Sequence, residues 1–380
     1  MPDYDFSPLQ RYLESVCDQG FAPGCEMCVT REHQLLWRGE AGTPDVAARK
    51  RFAPDTCYYL YSASKPITVT AAMQLVERGL LDPDSPVSRY LPAFAHAFVL
   101  RDGKKETVGD RLTVRNVFTM TGGLNYDLAR PAVTALLAAK PEATTQDVVS
   151  AFADDPLDFV PGERFQYSLC HDVVGALIEA VSGMTFDAYL QKNIFGPLGM
   201  GSTRFAHAGE GMPDNMADLL DYTVTDGKGQ LSPLPGNVFL FSPRYCSGGA
   251  GLVSTAEDYT KFADALACEG TAADGTVLLK PETVAQLRAP QLFRITGTAC
   301  IDTAAGYGYG YGMGVRTLVD PRDSRSPVGE FGWDGAAGAY LLCDAQHHLS
   351  ITYYQHVMGW PEPLEGHQPI RDLTYEILGL

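Results

Sequence analysis

The sequence predicts an α/β fold in which residues 1–90 and 236–380 form one discontinuous body and residues 91–235 form a mostly helical insertion, with any site at their interface. Three observations point there. Strand signals gather near both ends of the chain, the middle alternates helical segments with Pro- and Gly-rich loops, and 380 residues exceed the usual size of one compact domain.

Residues 7–19 (SPLQRYLESVCDQ) space Leu9, Tyr12, Leu13 and Val16 at helical intervals behind a serine suited to capping, so the chain opens with an amphipathic helix. GCEMCVTR and QLLWRGEAG follow as strand-like runs on either side of Glu32 and His33, a hairpin signal. After a Pro-containing loop, Tyr58, Tyr59, Leu60 and Tyr61 lead into SASKPITVTAAMQLVERG, whose apolar spacing gives a helix ending at Gly79 and puts Ser62 at its N-terminus. The helical middle includes RLTVRNVFTMTGGL, TTQDVVSAFADD, HDVVGALIEAVSG and FDAYLQKNIFGPLG. GGAGLVSTAEDYTKFADALA then reads as a loop and a helix; YGYGYGMGVRTLV, GAYLLCDA and HLSITYYQHV read as strands; PIRDLTYEIL closes as a helix. Because the alternating glycines at 306–314 precede a strand-like run, they indicate close backbone packing rather than a dinucleotide loop.

Composition narrows the function. Hydrophobic residues at 45% and charged residues at 20% describe a folded globular chain. A formal charge of −17 argues against nucleic acid, whose phosphates need clustered Lys and Arg. The N-terminus lacks a basic and apolar leader pattern and no stretch has membrane-spanning length, so a cytoplasmic protein without membrane contact is expected. Nine cysteines without regular spacing fit a reducing compartment. Cys25 and Cys28 form a C-x-x-C with no second pair to complete a zinc site, so no metal and no cofactor is expected.

Ser62 and Lys65 form the Ser-x-x-Lys of the chain, and their spacing sets both side chains on one helical face. A serine hydroxyl attacks carbonyls only when a base takes its proton, and a lysine becomes such a base when burial lowers its ordinary pKa of about 10.4. The plain alternative is a capping serine beside a solvated lysine. Against it, the helix dipole disfavours a cation at a helix start, so Lys65 there calls for a reason.

Several further segments occur in an order that resembles the serine β-lactamase and penicillin-binding protein superfamily, in its class C-like branch. They are TVRNVFTMTGGL, PGERFQYSLCHDVVGALIEAVSG, GGAGLVSTAEDYTKFADAL, LLKPETVAQL, YGYGYGMGV and FGWDGAAGAYLLCDA, together covering about residues 24–355. The resemblance implies an antiparallel sheet flanked by helices, with an α-helical insertion. It places Tyr167 at the tyrosine of a Tyr-x-Asn element, as a proton shuttle between Ser62, Lys65 and the leaving group if the lysine's charge holds it phenolate-like. It also places Trp333-Asp334-Gly335 at the third motif, normally Lys-x-Gly or His-x-Gly, with the backbone N–H groups of Ser62 and Ala336 as the oxyanion hole. Gly335 then lets backbone approach substrate closely.

The departures bear on substrate. Trp333 removes the cation that binds a substrate carboxylate, and Leu169 replaces the amide that binds an acylamino group. Both changes favour esters with apolar parts, and a tryptophan at this place resembles the family VIII carboxylesterases. Tyr126, Tyr245 and Trp360 are aromatic candidates for the pocket wall. His207-Ala208-Gly209 matches His-x-Gly but falls in a loop-like stretch, and no Gly-x-Ser-x-Gly elbow is present. A carboxylesterase on small-molecule esters, with acyl transfer as a variant, is therefore the first expectation. An amide hydrolase of the β-lactamase, D-aminopeptidase or DD-peptidase kind and a non-catalytic binding protein that kept the fold stay open, as does the oligomeric state.

Overall fold

The computed structural model describes residues 4–301, 308–322, 324–359 and 367–380. Its centre is a seven-stranded antiparallel sheet built from β1 (Gly24–Arg31), β2 (Gln34–Gly42), β3 (Tyr309–Tyr311), β4 (Arg316–Leu318), β5 (Phe331–Asp334), β6 (Tyr340–Asp344) and β7 (Leu349–Tyr354), in spatial order β3-β4-β5-β6-β7-β1-β2. The N-terminal hairpin thus pairs with the C-terminal strands, with Glu26 opposite Tyr354 and Val29 opposite Ile351. Glu32 and His33, both at positive φ, make the two-residue turn between β1 and β2.

Side-chain alternation gives the sheet two apolar faces. On one, Cys25, Met27, Val29, Tyr340, Leu342 and Tyr353 pack with Leu9, Leu13 and Val16 of helix α1 (Ser7–Asp18) and with Ile370 and Tyr375 of the C-terminal helix Gln368–Leu378. On the other, Cys28, Leu341, Cys343 and Tyr354 join the larger core. Cys25 and Cys28 consequently face opposite sides.

Helix α2 (Lys65–Glu77) is buried on every side from Lys65 to Leu75, which its sequence KPITVTAAMQL allows because it carries one charge, at its first residue. Pro66 fixes its first turn. α2 packs against α3 (Cys170–Ser182), and the helix Ala256–Ala267 packs on β1, β6 and β7, so these helices and the sheet face share one core.

Several expectations need adjustment. Ser7 is the first residue of α1, and its cap position is held by Phe6. The glycine-rich run is a hairpin, β3 and β4, reversed at Gly312 to Val315, not one strand. Its glycines do meet backbone closely: a Cβ on Gly312 would lie 2.4 Å from the carbonyl oxygen of Leu287. The middle segment contains, besides its helices, the hairpins Phe98–Arg101 with Lys104–Thr107 and Leu220–Thr225 with Lys228–Pro233, in each of which the second strand is mostly exposed and polar and carries a weak strand signal. Among the described residues no single helix is long and apolar enough to cross a membrane.

Candidate active site

The chain enters the site through Tyr61, a buried residue at φ 46, a backbone conformation that is costly for a bulky side chain by about 1–3 kcal/mol. That sharp reversal starts a short 3-10 turn, Tyr61–Ser64, so Ser62 sits one turn ahead of α2 rather than inside it. The turn is clamped on both sides. Ala63 N–H donates to the Leu60 carbonyl, the Tyr259 hydroxyl donates to the Ala63 carbonyl at 2.6 Å, and Leu252 N–H donates to Ser64 Oγ.

Lys65 follows at the first position of α2 and is fully buried. Its Nζ donates to Ser62 Oγ at 3.0 Å, to the Tyr126 hydroxyl at 3.0 Å and to the Gly249 carbonyl at 2.7 Å. Three acceptors match the three hydrogens of an ammonium. Burial nevertheless drives its pKa down to about 7, against the opposing pull of Asp172 and Cys170. Near neutral pH this amine therefore exists in both protonation states beside the serine.

The phenols are arranged differently from expectation. Tyr126, read from sequence as a pocket-wall residue, puts its hydroxyl on Lys65 Nζ. The Tyr167 hydroxyl accepts the Trp333 indole N–H at 3.0 Å, and Lys65 Nζ lies over the Tyr167 ring, 4.6 Å from its centroid. Burial pushes the Tyr167 phenol well above its ordinary range, although Ser62, Trp333 and Tyr126 act in the other direction. The condition of a phenolate-like Tyr167 is therefore not favoured at rest: desolvation outweighs those hydrogen bonds and favours the neutral phenol. Tyr126, Tyr167, Trp333 and Tyr311 form a continuous set of rings, with neighbouring centroids 5.2–5.3 Å apart.

β5 brings Trp333 to Tyr167 and then turns at Gly335 to Gly338, where Ala336 is exposed. A Cβ on Gly335 would lie 2.2 Å from the Leu60 carbonyl oxygen. The close approach seen to require glycine is to the segment preceding Ser62, and it locks the strand end beside the nucleophile turn. Behind Trp333, the buried Arg316 of β4 donates to Asp334 at 2.9 Å and to the Leu341 carbonyl at 3.0 Å, with Glu330 3.8 Å away.

Leu169 is buried at the N-terminus of α3, its N–H donating to the Asn125 carbonyl, and offers no polar side-chain group. Tyr245 is also fully buried, and its hydroxyl donates to Asp172, so it stands behind the site instead of in its wall. Trp360 lies outside the described residues. His207-Ala208-Gly209 forms a turn in which Glu210 N–H donates to the His207 carbonyl. Sequence reasoning missed Asp172 and Gly249. Both sit inside segments quoted for other reasons, and an aspartate in a first helical turn ordinarily signals nothing more than dipole compensation.

The geometry has parallels. The family pattern described as Beta-lactamase matches residues 9–375. Esterase EstB of Burkholderia gladioli is 31% identical over 372 residues, covering 91% of this chain and 90% of its own. Lovastatin esterase of Penicillium rubens is 31% identical over 285 residues, covering 72% and 70%. The solved structure of EstCE1, a hydrolase with promiscuous acyltransferase activity, superposes with a TM-score of 0.77 at 26% identity and covers 97% of this chain and 98% of its own.

Proposed function

The chain belongs to the beta-lactamase family, and from that premise we propose that it is a serine hydrolase cleaving carboxylic esters of small apolar molecules through an acyl-enzyme on Ser62. The observation that carries the reading is the buried Lys65 amine 3.0 Å from Ser62 Oγ with its pKa lowered to about 7. As free amine it takes the serine proton while Oγ attacks the ester carbonyl. The oxyanion rests on the N–H groups of Ser62 and Ala336. Tyr167, a neutral phenol, gives its proton to the departing alcohol, and the Trp333 N–H on its oxygen eases that loss. Water, or a second alcohol in an acyl transfer, then releases the acyl group by the reverse sequence of proton movements.

Esters are favoured because the rings of Tyr126, Tyr167 and Trp333 gather beside Lys65 and the site has neither a cation at position 333 nor an amide at position 169. EstB and the lovastatin esterase, named as esterases, support this choice. The division into residues 1–90 with 236–380 and residues 91–235, with the site between them, belongs to the same proposal. The test is a panel of p-nitrophenyl esters, anilides and nitrocefin against the native protein and Ser62→Ala. Ester turnover lost in Ser62→Ala is the expected result. Full ester activity in that variant refutes the serine mechanism, and rapid nitrocefin loss without ester turnover refutes the substrate class.

A further inference from the structure

One buried charge in the site has no place in the steps above. Asp172, in the first turn of α3, is completely buried. Its Oδ1 accepts from the Tyr245 hydroxyl, from Ser247 Oγ at 2.7 Å and from Gly249 N–H at 3.4 Å. Among the described residues its Oδ2 is buried with no hydrogen-bond partner. Such an oxygen is expensive to leave bare, and a fold keeps it only where something else compensates.

The compensation lies across Gly249. A Cβ placed on Gly249 would meet Asp172 Oδ2 at 2.8 Å, Lys65 Nζ at 3.5 Å and the Tyr126 hydroxyl at 3.5 Å. The three groups therefore converge on one bare α-carbon, and Gly249 serves both sides: its N–H points to the carboxylate and its carbonyl accepts from Lys65 Nζ. Ser247, bonded to the same carboxylate, also accepts from Ala250 N–H and so pins the loop that presents this carbonyl.

We propose that Asp172 is a positioning residue for the ester reaction: its charge, acting across Gly249, sets the pH at which Lys65 becomes a free base, and its hydrogen bonds hold the Gly249 carbonyl on Lys65. The inference rests on the serine mechanism proposed above. The groups around Lys65 leave this role to Asp172. From α3, Cys170 is a thiol pushed up to about 11 and His171 a neutral ring brought down to about 3, both chiefly by burial. Tyr126, Tyr167 and Tyr245 are phenols that burial holds protonated, and Asp334 at the end of β5 acts on Tyr167. Burial is the largest effect on Asp172 and raises its pKa, while the Tyr245 and Ser247 hydroxyls, Lys65 and the Gly249 N–H act in the opposite direction, toward the carboxylate.

The experiment reads the rate of Ser62 labelling by a fluorophosphonate from pH 5 to 9. In the native protein the rate rises with pH as Lys65 loses its proton. Asp172→Asn keeps the shape and removes the charge, so the rise should move about one to two pH units lower. Tyr245→Phe keeps the charge and removes one hydrogen bond, so the rise should stay in place while the plateau falls. Should Asp172→Asn fail to fold by circular dichroism, the smaller neutral Asp172→Ser is read in its place. A rise at the native pH in a folded neutral variant overturns the proposal, as does an equal shift in Tyr245→Phe. Absence of labelling in the native protein instead refutes the serine mechanism itself.

Discussion

Two buried cations lie close to β5, and the fold treats them in opposite ways. Arg316 makes a direct bond of 2.9 Å to Asp334, lies near Glu330 and is sandwiched by the rings of Tyr309 and Tyr340. Burial works against its charge, yet Asp334, Tyr340 and Glu330 outweigh that effect and push its pKa up. Lys65 is as deeply buried, but its carboxylate sits across Gly249 rather than in contact, and burial wins. The comparison shows how one interior holds a permanent charge and a switchable one. Direct contact with an always-charged guanidinium fixes the first, while distance and an ammonium that releases its proton readily free the second.

Substituting the switchable cation gives the largest functional effect. Lys65→Met should lower ester kcat/KM by at least ~10³-fold while the protein still folds, since the base is lost and the shape is kept. The same variant tests the pKa. The folded value of about 7 lies below that of an unfolded lysine, so between pH 7 and about 10 the unfolded chain binds the extra proton. The Lys65 contribution to stability therefore worsens as pH falls through that window and levels off below it. Urea denaturation at pH 7 and pH 10 should show the native protein losing stability relative to Lys65→Met at the lower pH. An unchanged difference would mean that the amine stays protonated throughout.

Breaking the fixed pair should act on folding first. Arg316→Met leaves Asp334 and Glu330 buried without their cation, a change that costs about 3–5 kcal/mol when one partner of a buried pair is removed. Its midpoint in thermal or urea unfolding should fall clearly, whereas the pH at which the remaining folded protein gains activity should stay with Lys65. A shifted pH profile would show that the two cations are coupled through β5, contrary to the comparison.

Much of this was legible in the residues. The strand-like runs GCEMCVTR and QLLWRGEAG on either side of the polar Glu32-His33 break gave the hairpin, and the ordered motifs placed Ser62, Lys65, Tyr167 and Trp333 in one site before any coordinates. What escaped depended on contacts between distant segments. Nothing in NYDL marks Tyr126 as the phenol on Lys65, because that bond spans 61 residues of sequence. Asp172 and Gly249 are 77 residues apart, and an aspartate in a first helical turn reads as ordinary until a bare glycine is seen opposite it. Tyr245 looked like pocket wall for the same reason: an aromatic residue in a loop shows its burial only once the loop is folded over α3.

The smallest effect comes from Trp333, on the same strand β5. Trp333 touches neither charge directly; its indole N–H donates to Tyr167, and its ring lies between those of Tyr167 and Tyr311. Trp333→Phe keeps an aromatic ring and removes the donor, so Tyr167 loses a hydrogen bond worth about 0.5–1.5 kcal/mol. Because that bond favours the phenolate, its loss should be felt when Tyr167 gives up its proton, lowering kcat by roughly 3- to 10-fold with KM little changed. The deficit should be greatest for esters with poorly leaving alkyl alcohols and nearly vanish for p-nitrophenyl esters, whose leaving group needs no proton. An equal deficit for both kinds of ester would assign Trp333 to packing alone and leave Tyr167 without a partner in its proton transfer.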